Sequence, residues 1–161
     1  MSTITASIYR TPRAWLLLAA FLIVVFGVGG AIGVATVPAE WYQSLVKPPF
    51  NPPNWVFGPV WGVLYIAIAV AGWRTFLRQP TGTAMKLWGA QMLLNWLWSP
   101  TWFTLHLIWP AFVVIAAIFV LILAFVRTSW RDDRTSAWLF VPYAAWVGFA
   151  SILNLSIAIL N

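Results

Sequence analysis

The chain has no cysteine. Disulfides, thiolate metal sites and a cysteine nucleophile are therefore excluded. Charge is scarce as well: 7% of residues are charged, against roughly a quarter in a soluble domain. The acids are only Glu40, Asp132 and Asp133, and the single histidine is His106. Metal chemistry is thus poorly supplied, and no metal ligand set is expected. A haem axial ligand would have to come from His106 or from a Met, Tyr or Lys. His106 reads most simply as a loop residue at a membrane interface. No Asp, Glu, Lys, Arg or His lies deep in an apolar run, which disfavours a proton or ion relay. A phosphate-binding glycine loop and a serine-hydrolase elbow are also missing.

What is present is grease and tryptophan. Hydrophobic residues make up 62% of the 161, and 13 are Trp. The class is an integral membrane protein of one small domain. Interfacial anchoring accounts for some of the Trp, but fewer would suffice, so several are expected to line something. The net charge of +6 would suggest nucleic acid in a soluble protein. Here the cations fall at the ends of apolar runs, so topology explains them and no nucleic-acid partner is expected.

Five apolar spans are expected, at about 14–36, 56–77, 85–105, 108–126 and 136–160, each near the ~20 residues that cross a bilayer. A polar arm, 1–13, precedes them. The first run is too long for a signal-peptide core and lacks a clear cleavage site, so it reads as an uncleaved helix. It holds Gly29 and Gly33, a GxxxG pair that serves either packing within the bundle or dimer contact. Pro38 is expected to end it. Arg10, Arg13, Arg74, Arg78, Lys86, Arg127, Arg131 and Arg134 fall on one side of the five spans and Lys47 alone on the other. The N-terminus is then cytoplasmic, and the C-terminus and the 37–55 loop are not.

That loop is stiff and aromatic. Pro48-Pro49 and Pro52-Pro53 hold extended backbone, and Asn54 is the expected cap of the second helix. Beyond it Phe57, Trp61 and Tyr65 share one helix face, with Pro59 expected to bend the entry. In the third span Gln91, Asn95, Trp98 and Trp102 form one polar and aromatic stripe, and Pro100 should kink the helix. The fourth span has no strongly polar residue and reads as lipid-facing or packing. Arg127, Arg131, Asp132, Asp133 and Arg134 read as the next loop. In the last span Tyr143, Trp146, Ala150 and Leu153 or Asn154 share a face. These faces either converge on a pocket for a large, flat, mostly apolar ligand or form the packing core, with amides bonding across helices.

The motifs resemble those of a known family. They are Trp41-Tyr42, Leu45, Lys47-Pro48, Pro52-Pro53 and Trp55, followed by Gly58-Pro59-Val60-Trp61-Gly62 and Leu64-Tyr65. Then come Gln91-Met92-Leu93-Leu94-Asn95-Trp96-Leu97-Trp98-Ser99-Pro100, and lastly Val141-Pro142-Tyr143, Trp146, Ala150 and Leu153-Asn154. From about Trp15 to Asn154 the chain resembles the TspO/MBR family of translocator proteins and bacterial tryptophan-rich sensory proteins. The resemblance implies an all-α, five-helix transmembrane bundle, usually a homodimer and here expected in a bacterium. Its cavity would bind protoporphyrin IX or a related tetrapyrrole, sterols or other lipids, and synthetic isoquinoline carboxamide or benzodiazepine ligands, with the first loop as a lid. The porphyrin is a ligand, and no cofactor is required. Matching positions implicate Trp41, Phe57, Trp61, Tyr65, Asn95, Trp98, Trp146, Ala150 and Leu153. In some bacterial members two pocket Trp, matching Trp61 and Trp146, are tied to light-dependent porphyrin breakdown. These are the only candidate catalytic residues, and binding is favoured over catalysis. A regulatory scaffold acting through partner proteins is a further reading, suggested by the glycine-rich first helix. The animal members' cholesterol-recognition pattern is missing, since the chain runs from Leu155 to Asn161 without Tyr, Lys or Arg. The third helix has Gly89-Ala90 where the family's dimer motif would stand. Lys47 reads as an interface anchor or as a contact for a porphyrin carboxylate.

Overall fold

Thr11 opens the first long helix. Its side chain accepts a hydrogen bond from Ala14 N (3.2 Å), and Pro12 fills the first helical position, where its missing N–H costs nothing. The computed structural model describes residues 8–36 and 40–161. In it, α1 spans Pro12–Ala35 and closes on Thr36, whose N–H and hydroxyl both bond Ile32 O (2.8 Å each). Pro38, the expected stop, lies outside the described residues. The expected lid loop contains a short helix, α2, at Glu40–Ser44.

α3 runs Asn54–Arg78 as one continuous helix that contains Pro59. Asn54 is not its cap: Pro53 occupies that position without a side-chain bond. The prolines hold extended backbone up to Pro53 (ψ 142°), so helical geometry already starts at Asn54.

The third apolar stretch is two pieces. α4 covers Thr83–Ser99, and a π turn follows at Pro100–Thr104. Pro100 has no N–H to continue the α ladder. The next bond skips to Leu105 N–Pro100 O (2.9 Å), which is i→i+5. The reset buries Trp102 to 1% exposure. His106 then takes a left-handed φ of 56° and ends the turn.

α5 spans Ile108–Asp132 and α6 spans Arg134–Leu160, so of the expected loop only Asp133 is non-helical. The correction has a physical cause. Hydropathy marks where side chains leave an apolar medium, not where the backbone ladder stops, and arginines near a helix C-terminus favour its dipole.

α1 packs on α3, α3 on α6, α6 on α5 and α5 on α4, with a sparser contact from α4 back to α1. Without a strong hydrophobic drive between helices in lipid, close packing and interhelical bonds hold such a ring. Trp73 Nε1 donates to Ala14 O (2.7 Å) and Trp88 Nε1 to Ile68 O (2.9 Å). Gly72 admits the Trp88 indole, and Gly29 admits the Tyr65 ring, which a Cβ would meet at 2.6 Å. The described residues form helices and no strands. Four helices, α1, α3, α5 and α6, are long and apolar enough to cross a membrane. α4, with 17 residues, is shorter.

Candidate functional site

The inward faces of the ring do not fill its centre. They surround a cavity of about 720 Å3. α3 supplies Phe57, Trp61 and Tyr65; α4 supplies Asn95 and Trp98; α6 supplies Trp146, Ala150 and Leu153. Eight of the nine sequence-derived site residues therefore line one space. Trp41 is not among them. Its ring stacks on His106 (4.2 Å between centroids) and meets Trp102 edge-on (6.0 Å), while its neighbour Tyr42 takes the lining position.

Other lining residues lay outside the sequence reading. Phe26, Gly30 and Thr36 of α1 and Ile115 and Ile118 of α5 contribute. An Ile pair at i, i+3 among many aliphatics carries no distinctive signal. α1 offered one in its glycines: Gly30 and Gly33 bring backbone to the cavity edge and have open space where a Cβ would be.

Beneath the cavity lies a closed polar network. Asn95 Nδ2 donates to Tyr143 Oη (2.9 Å), Tyr143 Oη donates to Gln91 Oε1 (3.0 Å), and Gln91 Nε2 donates to Trp88 O (3.0 Å). Gln91 and Tyr143 are fully buried and do not line the space. The stripe thus divides by depth. Gln91 is structural glue, and Asn95 joins that glue to the wall. Trp98 Nε1 donates to Asn154 Oδ1 (3.4 Å), fixing a second indole against the last helix.

No charged side chain lines the cavity among the described residues. Its chemistry is aromatic faces with a few amide and hydroxyl groups. Trp61 packs against Tyr65 (5.4 Å) and Tyr143 (6.2 Å), and Trp146 against Phe57 and Phe149 (5.7 Å each). Such contacts set ring orientation before any ligand arrives.

Of the segment 40–53, Tyr42 reaches the cavity wall. Lys47 is occupied within that segment: Nζ donates to Gln43 O and Leu45 O (3.2 Å each) and lies over the Tyr42 ring (4.7 Å). The amine thus caps the carbonyl end of α2, a role neither reading of Lys47 included. Burial raises the Tyr42 phenol above its ordinary pKa, so it stays protonated and donates to Asn51 Oδ1 (3.4 Å).

The order of motifs and the cavity they surround agree with a comparison to known families: residues 16–160 match the model of the TspO/MBR family. The chain belongs to the TspO/MBR family. The match runs through every long helix. The chain is 35% identical over 141 residues to Protein CrtK of Rhodobacter capsulatus, covering 82% of this chain and 85% of that one. It is 33% identical over 147 residues to the tryptophan-rich sensory protein of Cereibacter sphaeroides, covering 91% and 92%. It is 33% identical over 135 residues to the translocator protein of Ovis aries, covering 78% and 79%. Family membership and the four long apolar helices make it an integral membrane protein.

Proposed function

We propose that this TspO/MBR family member is a five-span membrane receptor or transporter that binds flat hydrophobic ligands, tetrapyrroles such as protoporphyrin IX foremost, in the central cavity. The observation that carries this is the cavity itself. Its volume of about 720 Å3 falls within the ~300–1,000 Å3 of small-molecule sites. Its walls are aromatic faces, which suit a planar macrocycle. Its uncharged lining favours recognition of the macrocycle over its carboxylates, because an unpaired buried carboxylate is costly. Sterols or other lipids are the secondary ligand class.

The fifth span is α4 with its π turn: 17 residues and then five, close to the ~20 a crossing needs. With the eight clustered cations inside, the N-terminus is cytoplasmic and the lid faces the other side of a bacterial membrane. Phe57, Trp61, Tyr65, Asn95, Trp98, Trp146, Ala150 and Leu153 contact the ligand, and Trp41 acts through the lid. The working form is a homodimer.

Titration of the purified protein with protoporphyrin IX tests this. Saturable Trp quenching is expected, weakened about ten-fold or more in Trp61→Ala and Trp146→Ala. Quenching that does not saturate, or that is the same in both variants, removes the reading. A second reading, light- and oxygen-dependent porphyrin degradation, draws on the fact that Trp61 and Trp146 both face the cavity. It predicts a bilin-like absorption band on illumination, and bleaching in Trp146→Phe no faster than in lipid alone.

A further inference from the structure

The cover of the cavity is joined to the far end of α6 by one side chain. Asn161 Oδ1 accepts from Val46 N (3.0 Å), and Asn161 Nδ2 donates to Val46 O (3.0 Å). A carboxamide that satisfies both the N–H and the C=O of one residue pairs with it as a neighbouring strand would. The same Nδ2 donates to Ile157 O (2.9 Å), which fixes the amide to the helix. Ile157 lines the cavity. On the other side of the tie, Leu45 packs against the buried cluster to which Leu153 and Ile157 belong. The family match ends at residue 160, so the amide that makes this bridge lies just outside it.

We infer that Asn161 is the latch of the lid: its carboxamide holds Val46, and with it the 40–53 segment, closed over the cavity, and its release sets how fast molecules enter and leave. This rests on the proposed reading of that segment as the cavity's cover. Both Val46 and Asn161 are exposed. Water therefore competes for each bond and the tie is weak enough to open thermally. A further tie on the segment, the Trp41–His106 stack, holds α2 itself. Releasing Asn161 alone thus leaves the proline-rich half held by the Phe50–Phe149 ring contact (6.3 Å) while α2 stays docked.

The test needs no ligand. The chain has no cysteine, so Ala150→Cys places a single thiol in the cavity wall. Its labelling by a water-soluble, membrane-impermeant maleimide reports opening on the lid side. Amide hydrogen exchange reports on Val46 directly. Asn161→Ala added to this background is expected to speed both labelling and Val46 exchange roughly ten-fold, the factor for losing about 1.4 kcal/mol of hydrogen bonding. Ser156→Ala, which removes a bond internal to α6, is expected to change neither. Unchanged Val46 exchange in Asn161→Ala shows that no clamp exists. Faster Val46 exchange with unchanged labelling shows that the clamp does not gate the cavity. Equal effects from Ser156→Ala assign the change to helix fraying. Each of these overturns the latch. Failure of protoporphyrin IX to bind leaves both readouts intact and counts against the proposed function alone.

Discussion

The two ends of the bundle are held by different chemistry. At the arginine-rich end, Arg74 and Asp133 form a forked ion pair with bonds of 2.7 and 3.1 Å, and both side chains are largely buried. Ser136 Oγ donates to the same carboxylate (2.7 Å), Arg78 donates to Asp132 O, and the Arg74 guanidinium lies over the Tyr9 ring (4.8 Å). α3, α5, α6 and the segment before α1 are thus joined at one point. The lid end has no ion pair among the described residues. It is held by apolar packing around Tyr42, by ring contacts such as Trp41–His106 and Phe50–Phe149, and by an exposed amide clamp. A buried charge pair is costly to break from one side, whereas exposed neutral bonds trade with water. The first end therefore fixes the helices through a buried charge pair, and the second has no such joint among the described residues. The proposed exchange of ligand through one end would call for that asymmetry.

The largest expected effect breaks the fixed end. Asp133→Ala leaves Arg74 buried without its partner and should cost about 2–4 kcal/mol, read as a fall in the melting temperature of the detergent-solubilised protein. A loss as small as that of a surface substitution would mean that the two ends do not differ as described.

Acid should weaken the same end more gently. Burial pushes the Asp133 carboxyl upward. The hydrogen bonds from Arg74 and Ser136 and the charges of Arg74 and Arg78 outweigh it, so the group ionises below its ordinary value. A carboxyl depressed in the folded state contributes stability above its unfolded pKa and loses it as pH falls through the folded value. Melting temperature should fall between about pH 5 and pH 2, and the fall should be shallower in Asp133→Asn. The two proteins differ only at this carboxyl, so the difference between the two curves isolates Asp133. Parallel curves would remove the ion pair from the account of this end.

The asymmetry also marks how far the sequence could be read. The shared helix faces were legible because large aromatics recur at helical spacing, while their reading as pocket walls came from the family resemblance: Phe57, Trp61 and Tyr65 on α3, Asn95 and Trp98 on α4, Trp146 and Ala150 on α6. The family resemblance came from the same residues. The ends were not legible. Arg74 and Asp133 stand 59 positions apart, and nothing local marks them as partners; the acid read as part of a charged loop. Asn161 and Val46 stand 115 apart, with no pattern linking them. Pro100 announced a break but not its form, because only the packing of Trp102 selects a π turn over a kink. Periodicity reports which way a side chain faces along one helix. What it meets across the bundle depends on where the helices end, and there the apolar pattern stops giving information.

The smallest expected effect sharpens the comparison from the lid end. Lys47 caps α2 and covers Tyr42, contacts that rest at a partly exposed surface. Lys47→Met keeps the side chain's length and apolar stem and removes the charge, so roughly 0.5–1 kcal/mol of cation–π and capping interaction is lost. That loss falls on a segment that opens before the bundle melts. Thermal stability should therefore stay near the parent value, while amides of Gln43 to Val46 exchange several-fold faster. Protoporphyrin IX affinity should change by less than about three-fold, since the cavity is lined without Lys47. A ten-fold loss of affinity with unchanged lid exchange would make Lys47 a direct contact for a ligand carboxylate. The lid end would then be part of the binding site rather than its gate, and Asn161 would have to be read as positioning that lysine.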